Sequence, residues 1–351
     1  MKKYLYFFAL WIWLSLFFLS ACTPSQSHPQ YIKLEASLHF SGVSEFESHR
    51  LSPLSAISFD DEGYLYSLVQ DSGRITAFDA TGTERTSFSP RSSAYGRTYS
   101  VEAIALGNQD DEIFVLDGKN GEIQAWKKDG RFIRSTPIAI SLSPGDTAFG
   151  SNKAFYHNTE GLTDDSLIVV FDTYGKRTSY LGAIPETDTL LTPHKSLRHS
   201  LAEGEIPGFM KNSVLIAAGK NNRVYALHRT RPILKCFENG QLQYTRTLNF
   251  VELDTIREAA AIRNRLLEQP EAYIPFSYWS DITVDENGNI YLLLAMQTHH
   301  TIYMLDTDGN FMQKIIGDYG KGHLLAVQSN RLAIADAAKR SVSIYELPEP
   351  S

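Results

Sequence analysis

The sequence lacks the short motifs that indicate common enzyme chemistries. Its 351 residues contain no G-x-S-x-G nucleophile motif, no H-E-x-x-H zinc motif, no Walker loop and no Cys-x-x-Cys pair. Only two cysteines are present, Cys22 and Cys236, and we interpret Cys236 as a small hydrophobic residue buried in a strand. From these absences we predict no catalytic residue, no metal site and no cofactor.

A clustered basic face is missing too. The chain has 33 lysines and arginines against 40 acidic residues, which gives a formal net charge of −7 at pH 7. Proteins that bind nucleic acid carry lysine and arginine concentrated on one face, so we predict no nucleic-acid partner. Aromatic residues, by contrast, make up 12% of the chain, and tyrosine and phenylalanine favour β-strands.

Long apolar runs are absent except at the N-terminus. There "MKK" precedes the uncharged stretch "YLYFFALWIWLSLFFL", and the small residues of "LSAC" lead to Cys22. This order is typical of a secretory signal, and its end resembles a bacterial lipobox. The resemblance implies lipid transfer to Cys22 after removal of residues 1–21. An uncleaved membrane anchor is the alternative, although the apolar stretch, at about 16 residues, is shorter than the roughly 20 that span a bilayer.

The segment that follows is polar and contains prolines. Residues 22–30, with the sequence "CTPSQSHPQ", are interpreted as an extended tether. Thr23 stands where a signal for retention in the inner membrane usually has aspartate, which favours the outer membrane. We therefore predict a protein of the cell envelope that is attached to the membrane through a lipid on Cys22, and whose lipidated cysteine leaves no pair for an internal disulfide.

The rest of the chain is built on a repeat. A short polar turn preceded by an apolar or aromatic residue recurs five times, and each copy has glycine at the position expected to need a positive φ. These glycines are Gly82, Gly130, Gly175, Gly240 and Gly309. The first two spacings, 48 and 45 residues from Gly82 to Gly130 to Gly175, are close to the length of one four-stranded propeller blade.

A second signature, a hairpin of two apolar strands, lies upstream of these turns. The clearest copies are "AISFDDEGYLYSL" and "DITVDENGNIYLL". Six hairpins are found, at 56–68, 103–116, 147–157, 216–227, 281–293 and 325–336. The sequence contains six hairpins but only five of the glycine turns. The last blade therefore needs a fourth strand from elsewhere in the chain, and residues 31–40 resemble such a strand. A ring closed in this way leaves no long unpaired edge.

These patterns predict an all-β fold over residues 31–351: a six-bladed β-propeller closed by an N-terminal strand. Two segments are longer than the repeat requires. Residues 254–269 are predicted to form a helical insert between blades four and five, with Thr255 and Glu258 as a capping box and an apolar stripe that includes Ile262 and Leu266. Residues 186–208 are predicted to form a loop with at most one helical turn.

The hairpin-and-turn pattern "VDENGNIYLL…IYMLDTDGNF" resembles NHL-like and TolB-like propeller repeats. Together with the lipobox, the tether and the helical insert, the chain resembles the six-bladed β-propeller lipoproteins common in Bacteroidota. This resemblance implies a fold but not an activity, since related propellers include lactonases, an amidating lyase and many protein-binding modules.

In a propeller the first strand of each blade lines the central channel, and ligands bind at its mouth. The residues just ahead of each inner apolar core are therefore the candidate ligand contacts: Ser55, Glu102, Ser280, Asp281 and His323. A ring of Glu, Asp and His can also hold a divalent cation, but the matching positions of blades one, four and six are the apolar Ala56, Leu215 and Leu324.

Two functions remain open from the sequence. The first is a lipid-anchored, non-enzymatic binding module of the cell envelope, with a protein, peptide or glycan as ligand. The second is a metal-dependent lactonase or lyase with its site in the central channel, which would need several acidic and amide side chains to converge there. Glu102 and Asp281 are the two acidic candidates, and the apolar share of the ring favours the binding module.

Overall fold

The computed structural model describes most of the chain from residue 31 onwards. The described residues are 31–34, 36–41, 54–69, 72–90, 101–106, 111–138, 146–150, 154–160, 165–184, 197–269, 272–295, 298–336 and 341–348. Residues from Ile32 to Ser351 belong to one compact unit. The predicted signal peptide, Cys22 and the predicted tether lie outside the described residues. Within these residues, no helix is both long enough and apolar enough to cross a membrane.

The described strands form six antiparallel sheets in sequence order, each of which is one blade. Blade one contains β3 (Leu54–Phe59), β4 (Leu65–Val69), β5 (Arg74–Phe78) and β6 (Glu84–Phe88), and blade two contains β7 (Val101–Leu106), β8 (Glu112–Asp117), β9 (Glu122–Lys127) and β10 (Phe132–Pro137). Blade three contains β11 (Thr147–Phe149), β12 (Phe155–Asn158), β13 (Ser166–Phe171) and β14 (Arg177–Ala183).

The second half of the chain repeats this arrangement. Blade four contains β15 (Val214–Ala218), β16 (Arg223–His228), β17 (Ile233–Glu238) and β18 (Gln241–Thr247). Blade five contains β19 (Trp279–Val284), β20 (Ile290–Leu294), β21 (His299–Leu305) and β22 (Phe311–Tyr319), and blade six contains β23 (Gly322–Gln328), β24 (Arg331–Asp336) and β25 (Ser341–Glu346). The predicted six-bladed propeller is confirmed.

The blades close into a ring because each one packs against both of its neighbours. The inner strands β3, β7, β11, β15, β19 and β23 contact one another in this order, and β23 returns to β3. Each pair of neighbouring blades shares a buried apolar cluster among the described residues. Burying one large apolar side chain contributes about 1.5–3 kcal/mol, so the interfaces between blades hold the ring together. Cys236 lies in one of these clusters and is fully buried, as predicted.

The ring is closed by the N-terminal segment, with one correction to the prediction. Strand β2 (Leu38–Ser41) pairs antiparallel with β25 and completes blade six, from Leu38 opposite Ile344 to Ser41 opposite Ser341. The prediction gave all of residues 31–40 to this blade. Strand β1 (Tyr31–Lys33) instead lies on the outer side of β22 as a fifth strand of blade five, and the N–H of Leu34 donates to the carbonyl of Ile316 (2.9 Å).

The five turn glycines have the backbone conformation that the repeat predicts. Their φ angles lie between +70° and +87°, a region that residues with a Cβ rarely adopt. Gly175 is also confined in space, because a Cβ at this position would lie 2.2 Å from the carbonyl oxygen of Pro137 in blade two. Gly240 also has a positive φ, but among the described residues no atom other than those of its two chain neighbours lies within 4 Å of where its Cβ would be.

The helical insert between blades four and five is confirmed, although its start differs from the prediction. The helix runs from Glu252 to Leu266, and its N-cap residue, Val251, makes no side-chain capping bond. Thr255 therefore lies inside the helix and the predicted capping box is wrong. Its buried residues are Leu253, Ile256, Ala260, Ala261 and Asn264. Ile262 and Leu266, predicted as part of the apolar stripe, are 43% and 75% exposed.

The insert between blades three and four contains more helix than predicted. Helix α1 (Leu197–Ala202) and helix α2 (Gly208–Lys211) lie in it, and the helix Glu252–Leu266 is therefore α3. The prediction of at most one helical turn relied on the polar composition of the segment. Leu201 and Met210 are nevertheless buried in the cluster shared by blades four and five, and this tertiary packing stabilises the short helices.

Candidate functional site

A central channel of about 600 Å³ runs through the ring. Residues from all six inner strands line it, and most of these residues are small or apolar, such as Ala56, Ala103 and Leu324. We call the face at which the inner strands begin the upper face. Because the connections between blades lead into those strand starts, the inserts that carry α1, α2 and α3 lie at the upper face.

Four of the five predicted ligand contacts occupy one structural position. Ser55, Glu102, Ser280 and His323 each lie at a register shift between the first and second strands of their blades. A register shift of this kind is a β-bulge, which adds one residue to a strand and changes the direction of the neighbouring side chains. These four residues, each placed just ahead of an inner strand core by the sequence analysis, are therefore equivalent in the structure. Glu102 lies in β7, but its side chain is outside the described residues.

The fifth predicted contact, Asp281, has a counterpart that sequence reasoning missed. Asp281 is opposite Leu293 in the first hairpin of blade five. The same position in blade three is Asp146, whose carbonyl accepts the N–H of Asn158 at the end of β12. Ala56, Ala103, Leu215 and Leu324 hold this position in the other blades. Asp146 was missed because the hairpin of blade three was taken to begin at Thr147, and the signal that finds it is the match of "DTAF" to "DITV".

Both aspartates hold neighbouring blades together. One carboxylate oxygen of Asp281 accepts the N–H of Leu325 in blade six (2.6 Å), and the other accepts the N–H of Ile282 (2.8 Å). Asp146 accepts the N–H of Ile216 in blade four (2.5 Å). Ile216 and Leu325 occupy the same position of their own blades. The same arrangement thus occurs twice: an aspartate side chain of one blade accepts a backbone N–H from the inner strand of the next blade.

The two carboxyls also influence each other. Burial, and after it the neighbouring Asp146 carboxyl, raises the pKa of Asp281 to about 8. Burial likewise raises the pKa of Asp146, and the Arg229 guanidinium counteracts part of that effect. Two carboxyls that share a poorly hydrated space cannot both ionise without a cost. At neutral pH the channel therefore presents a pair of aspartates that retains at least one proton.

His323 joins the two blades at which the ring closes. Its Nδ1 lies 2.8 Å from the carbonyl oxygen of Ala335, and its Nε2 lies 3.1 Å from the carbonyl oxygen of Leu54 in blade one. Burial lowers the pKa of His323, although both carbonyls act in the opposite direction. Since both ring nitrogens face backbone carbonyls, neither is directed at a ligand. Ser55 is similarly engaged, with its hydroxyl 3.5 Å from the carbonyl oxygen of Leu68.

The predicted residues therefore do not converge on one point. Asp281 is brought close to Asp146, while His323 and Ser55 make local or inter-blade contacts. Within the described part of the chain, no group of three or more His, Cys, Asp or Glu side chains is arranged to hold a metal ion. Two carboxyls supply fewer than the six to eight oxygens that Ca²⁺ takes.

No protein-family model matches the sequence, and no curated protein matches it significantly. Among solved structures, a member of the DUF4221 family from Bacteroides vulgatus aligns with a TM-score of 0.57 at 12% identity, over 89% of this chain and 97% of that chain. The structure of U3-55K aligns at 0.53 and 10% identity, over 90% and 100% of the two chains. A gluconolactonase from Xanthomonas campestris aligns at 0.51 and 11% identity, over 89% and 98%.

At identities of 10 to 12% these similarities show the fold alone. They support the six-bladed propeller across most of this chain. The similar structures include a gluconolactonase and a member of the DUF4221 family, and a fold alone does not decide between the two functions that the sequence leaves open.

The carboxyl pair predicts how stability depends on pH. An aspartate in the unfolded chain titrates near pH 4, whereas the pKa of Asp281 is about 8 in the folded protein. Between these values the folded state keeps a proton that the unfolded state has lost. The free energy of unfolding should therefore fall as pH rises from about 4 to 8, by at most about 1.4 kcal/mol per pH unit for this group.

Asp281→Asn should remove much of this pH dependence, because an amide does not titrate. The measurement is the urea midpoint of the wild-type and variant proteins at several pH values between 5 and 9. Asp308→Asn, at an exposed turn position, is the control and should leave the wild-type slope unchanged. If Asp281→Asn keeps the full wild-type slope, Asp281 does not titrate in this range.

Proposed function

We propose that this protein is a lipid-anchored, non-enzymatic binding module of the cell envelope, with a protein, peptide or glycan ligand at the upper face. One observation carries the proposal. Asp146, Asp281 and His323, at the starts of their inner strands, hold neighbouring blades together, while the chain adds its two long inserts to the face around them.

The engaged side chains argue for binding rather than catalysis. A general base or a nucleophile needs a lone pair directed at the substrate. Both carboxylate oxygens of Asp281 accept backbone N–H groups, and both ring nitrogens of His323 face backbone carbonyls. Side chains that are bonded in this way fix the positions of neighbouring blades. They leave recognition to the loops and inserts, where binding residues are concentrated in many folds.

The inserts form a joined structure on the upper face. Arg198 of α1 donates to the carbonyl of Leu267 just after α3, and α1 packs against α3. Phe250, ahead of α3, stacks on Tyr303 of blade five with ring centroids 3.6 Å apart. The inserts are thus held firmly against blades four and five, which gives the upper face a fixed shape for a ligand.

The anchor in the proposal rests on the N-terminal sequence. A charged start, an apolar stretch and small residues before Cys22 are typical of a lipoprotein signal. The nine residues from 22 to 30 then allow a span of up to roughly 30 Å between the lipid and the propeller. That reach suits a protein that meets its ligand close to a membrane surface, and the outer membrane is the membrane we propose.

The proposal is tested in living cells with a photo-crosslinking amino acid. Placed at Ser280, on the upper face, it should give a covalent adduct of defined mass in the cell envelope, and placed at Tyr174 it should give none. Tyr174 is 81% exposed and follows β13 at the other face. Cys22→Ser should lose a metabolic fatty-acid label and, with it, most of the adduct. Label that persists in Cys22→Ser contradicts the anchor, and equal adducts at both positions contradict the proposed face.

The pairing of Asp146 and Asp281 in the channel favours one alternative, a metal-dependent lactonase or lyase. A cation that binds only the folded state stabilises it, by roughly 2.7 kcal/mol at a hundredfold excess over its Kd. Under our proposal, chelator-treated protein shows no change in melting temperature with millimolar Ca²⁺, Mg²⁺, Mn²⁺ or Zn²⁺. A rise of several degrees with one of them, lost in Asp281→Asn, would favour the enzyme.

A further inference from the structure

Helix α3 carries an apolar stripe that faces away from the propeller. Val251 is 81% exposed, Leu266 75% and Ile262 43%, and Tyr273, shortly after the helix, is 38% exposed. At 100° per residue, Val251, Ile262 and Leu266 lie on one side of the helix, opposite the buried Leu253 and its neighbours. Ile262 and Leu266 are adjacent on this side, one turn apart, whereas the exposed Thr255 and Glu258 separate them from Val251. Adjacent exposed apolar residues mark interaction sites.

The stripe cannot be buried by rotation of the helix, because both ends of α3 are fixed. At the start, Glu252 accepts hydrogen bonds from Lys314 and Tyr303 of blade five. Near the end, the fully buried Asn264 accepts the N–H of Ile274 (2.9 Å) and donates to its carbonyl (3.0 Å). These contacts hold the opposite side of the helix on the propeller and present the stripe to solvent.

The charges beside the stripe are arranged in two halves. In the first half of α3 the exposed Asp254 and Glu258 outnumber the exposed Arg257, which bonds Asp254 (2.9 Å), whereas the exposed charged residues of the second half are Arg263 and Arg265. The apolar residues have the same symmetry. In an antiparallel pair centred between residues 258 and 259, Val251 is level with Leu266 of the other helix, and Thr255 is level with Ile262.

We propose that this stripe pairs with the stripe of a second copy of the chain, as two antiparallel α3 helices related by a two-fold axis. The arrangement is self-complementary, as an isologous contact requires. Asp254 lies on the same flank of the stripe as Arg265, within two residues of its level in the other helix, so Arg265 of one copy joins the ion pair between Asp254 and Arg257 of the other, twice across the interface. Antiparallel helix dipoles add to the attraction.

One residue, Glu258, opposes the pairing, so its replacement is expected to raise the dimer yield and not to lower it. Glu258 lies at the centre of the stripe, so the two-fold axis brings it next to Glu258 of the second copy. Like charges at this distance repel. A single pair of 15-residue helices is also a small interface. The dimer is therefore weak for a free protein, and attachment of both copies to one membrane raises their effective concentration.

This inference rests on the lipid anchor of the proposed function but uses other residues than the proposed ligand face, so the fatty-acid label on Cys22 and the crosslink at Ser280 show separately which of the two fails. The test uses the full chain in its membrane. With cysteine at Ala259, beside the two-fold axis, a short bis-maleimide should give a dimer-sized product. The parent chain, in which Cys236 is buried, and Tyr174→Cys, exposed on the other face, should give none.

Second substitutions in the Ala259→Cys chain then identify the contact. Leu266→Asp should lower the dimer yield at least about tenfold, because it buries an unpaired charge. Asp254→Arg or Arg265→Asp alone should lower the yield, both together should restore it, and Glu258→Gln should raise it. All these positions are exposed, and an unchanged melting temperature confirms folding. The proposal is wrong if the dimer yield does not respond to the charge exchange, or if the Ala259→Cys chain gives no dimer product.

Discussion

A chain that begins at residue 45 should unfold at a clearly lower urea concentration than one that begins at residue 31. The shorter chain lacks β1 and β2, and without β2 the strand β25, which contains the buried Val342 and Ile344, becomes an unpaired edge. Four residues of β25 lose their partners in β2. Each backbone hydrogen bond contributes about 1 kcal/mol, so the loss is on the order of 4 kcal/mol, a large part of the stability of a typical domain.

The start at residue 31 is the matched control, because it removes the tether and keeps both N-terminal strands. The shorter chain should also aggregate, since an exposed strand edge pairs with other chains. Urea unfolding monitored by tryptophan fluorescence gives the midpoints, and sedimentation gives the aggregated fraction. Equal midpoints for the two chains would show that β2 does not close the ring energetically.

The fold was predictable because the repeat imposes local requirements on the sequence. Gly130 and Gly309 stand where the turn needs a positive φ, and the sequence shows them at near-constant distances from the hairpins. Closure followed from counting six hairpins against five turns. The prediction that all of residues 31–40 join blade six was wrong because β1 and β2 are both short extended segments, and only the geometry of the outer edges assigns β1 to β22.

The site was less predictable because its residues act across blades. Asp281 was selected from its place ahead of an inner strand, but its bond to Leu325 links positions 44 residues apart. Asp146 precedes a strand of only three residues, so its equivalence with Asp281 was hidden. For α3, the pattern of apolar residues suggested a buried Ile262, whereas the buried face also contains Asn264, whose side chain bonds Ile274. A polar residue in a buried stripe breaks the periodicity from which faces are predicted.

The two turn glycines Gly175 and Gly240 offer a paired test of what holds neighbouring blades together. Gly175→Ala should destabilise the protein far more than Gly240→Ala. Both residues have a positive φ, +70° and +83°, and alanine in that region costs roughly 1–2 kcal/mol. This cost is the same in the two variants. The difference between their losses in free energy of unfolding therefore reflects the atoms that surround each turn.

The surroundings differ sharply. A Cβ on Gly175 would lie 2.2 Å from the carbonyl oxygen of Pro137, whereas in the described part of the chain no atom beyond the two neighbouring residues lies within 4 Å of a Cβ on Gly240. Because the atom in the way belongs to the backbone of blade two, the blades must separate to admit the methyl group, and overpacking of this kind adds about 1–3 kcal/mol. We expect about 4 kcal/mol for Gly175→Ala and about 1 kcal/mol for Gly240→Ala, measured by urea unfolding. Similar losses in both variants would mean that the contact between the turn of blade three and blade two is loose enough to admit a methyl group, and that backbone strain alone fixes glycine in these turns.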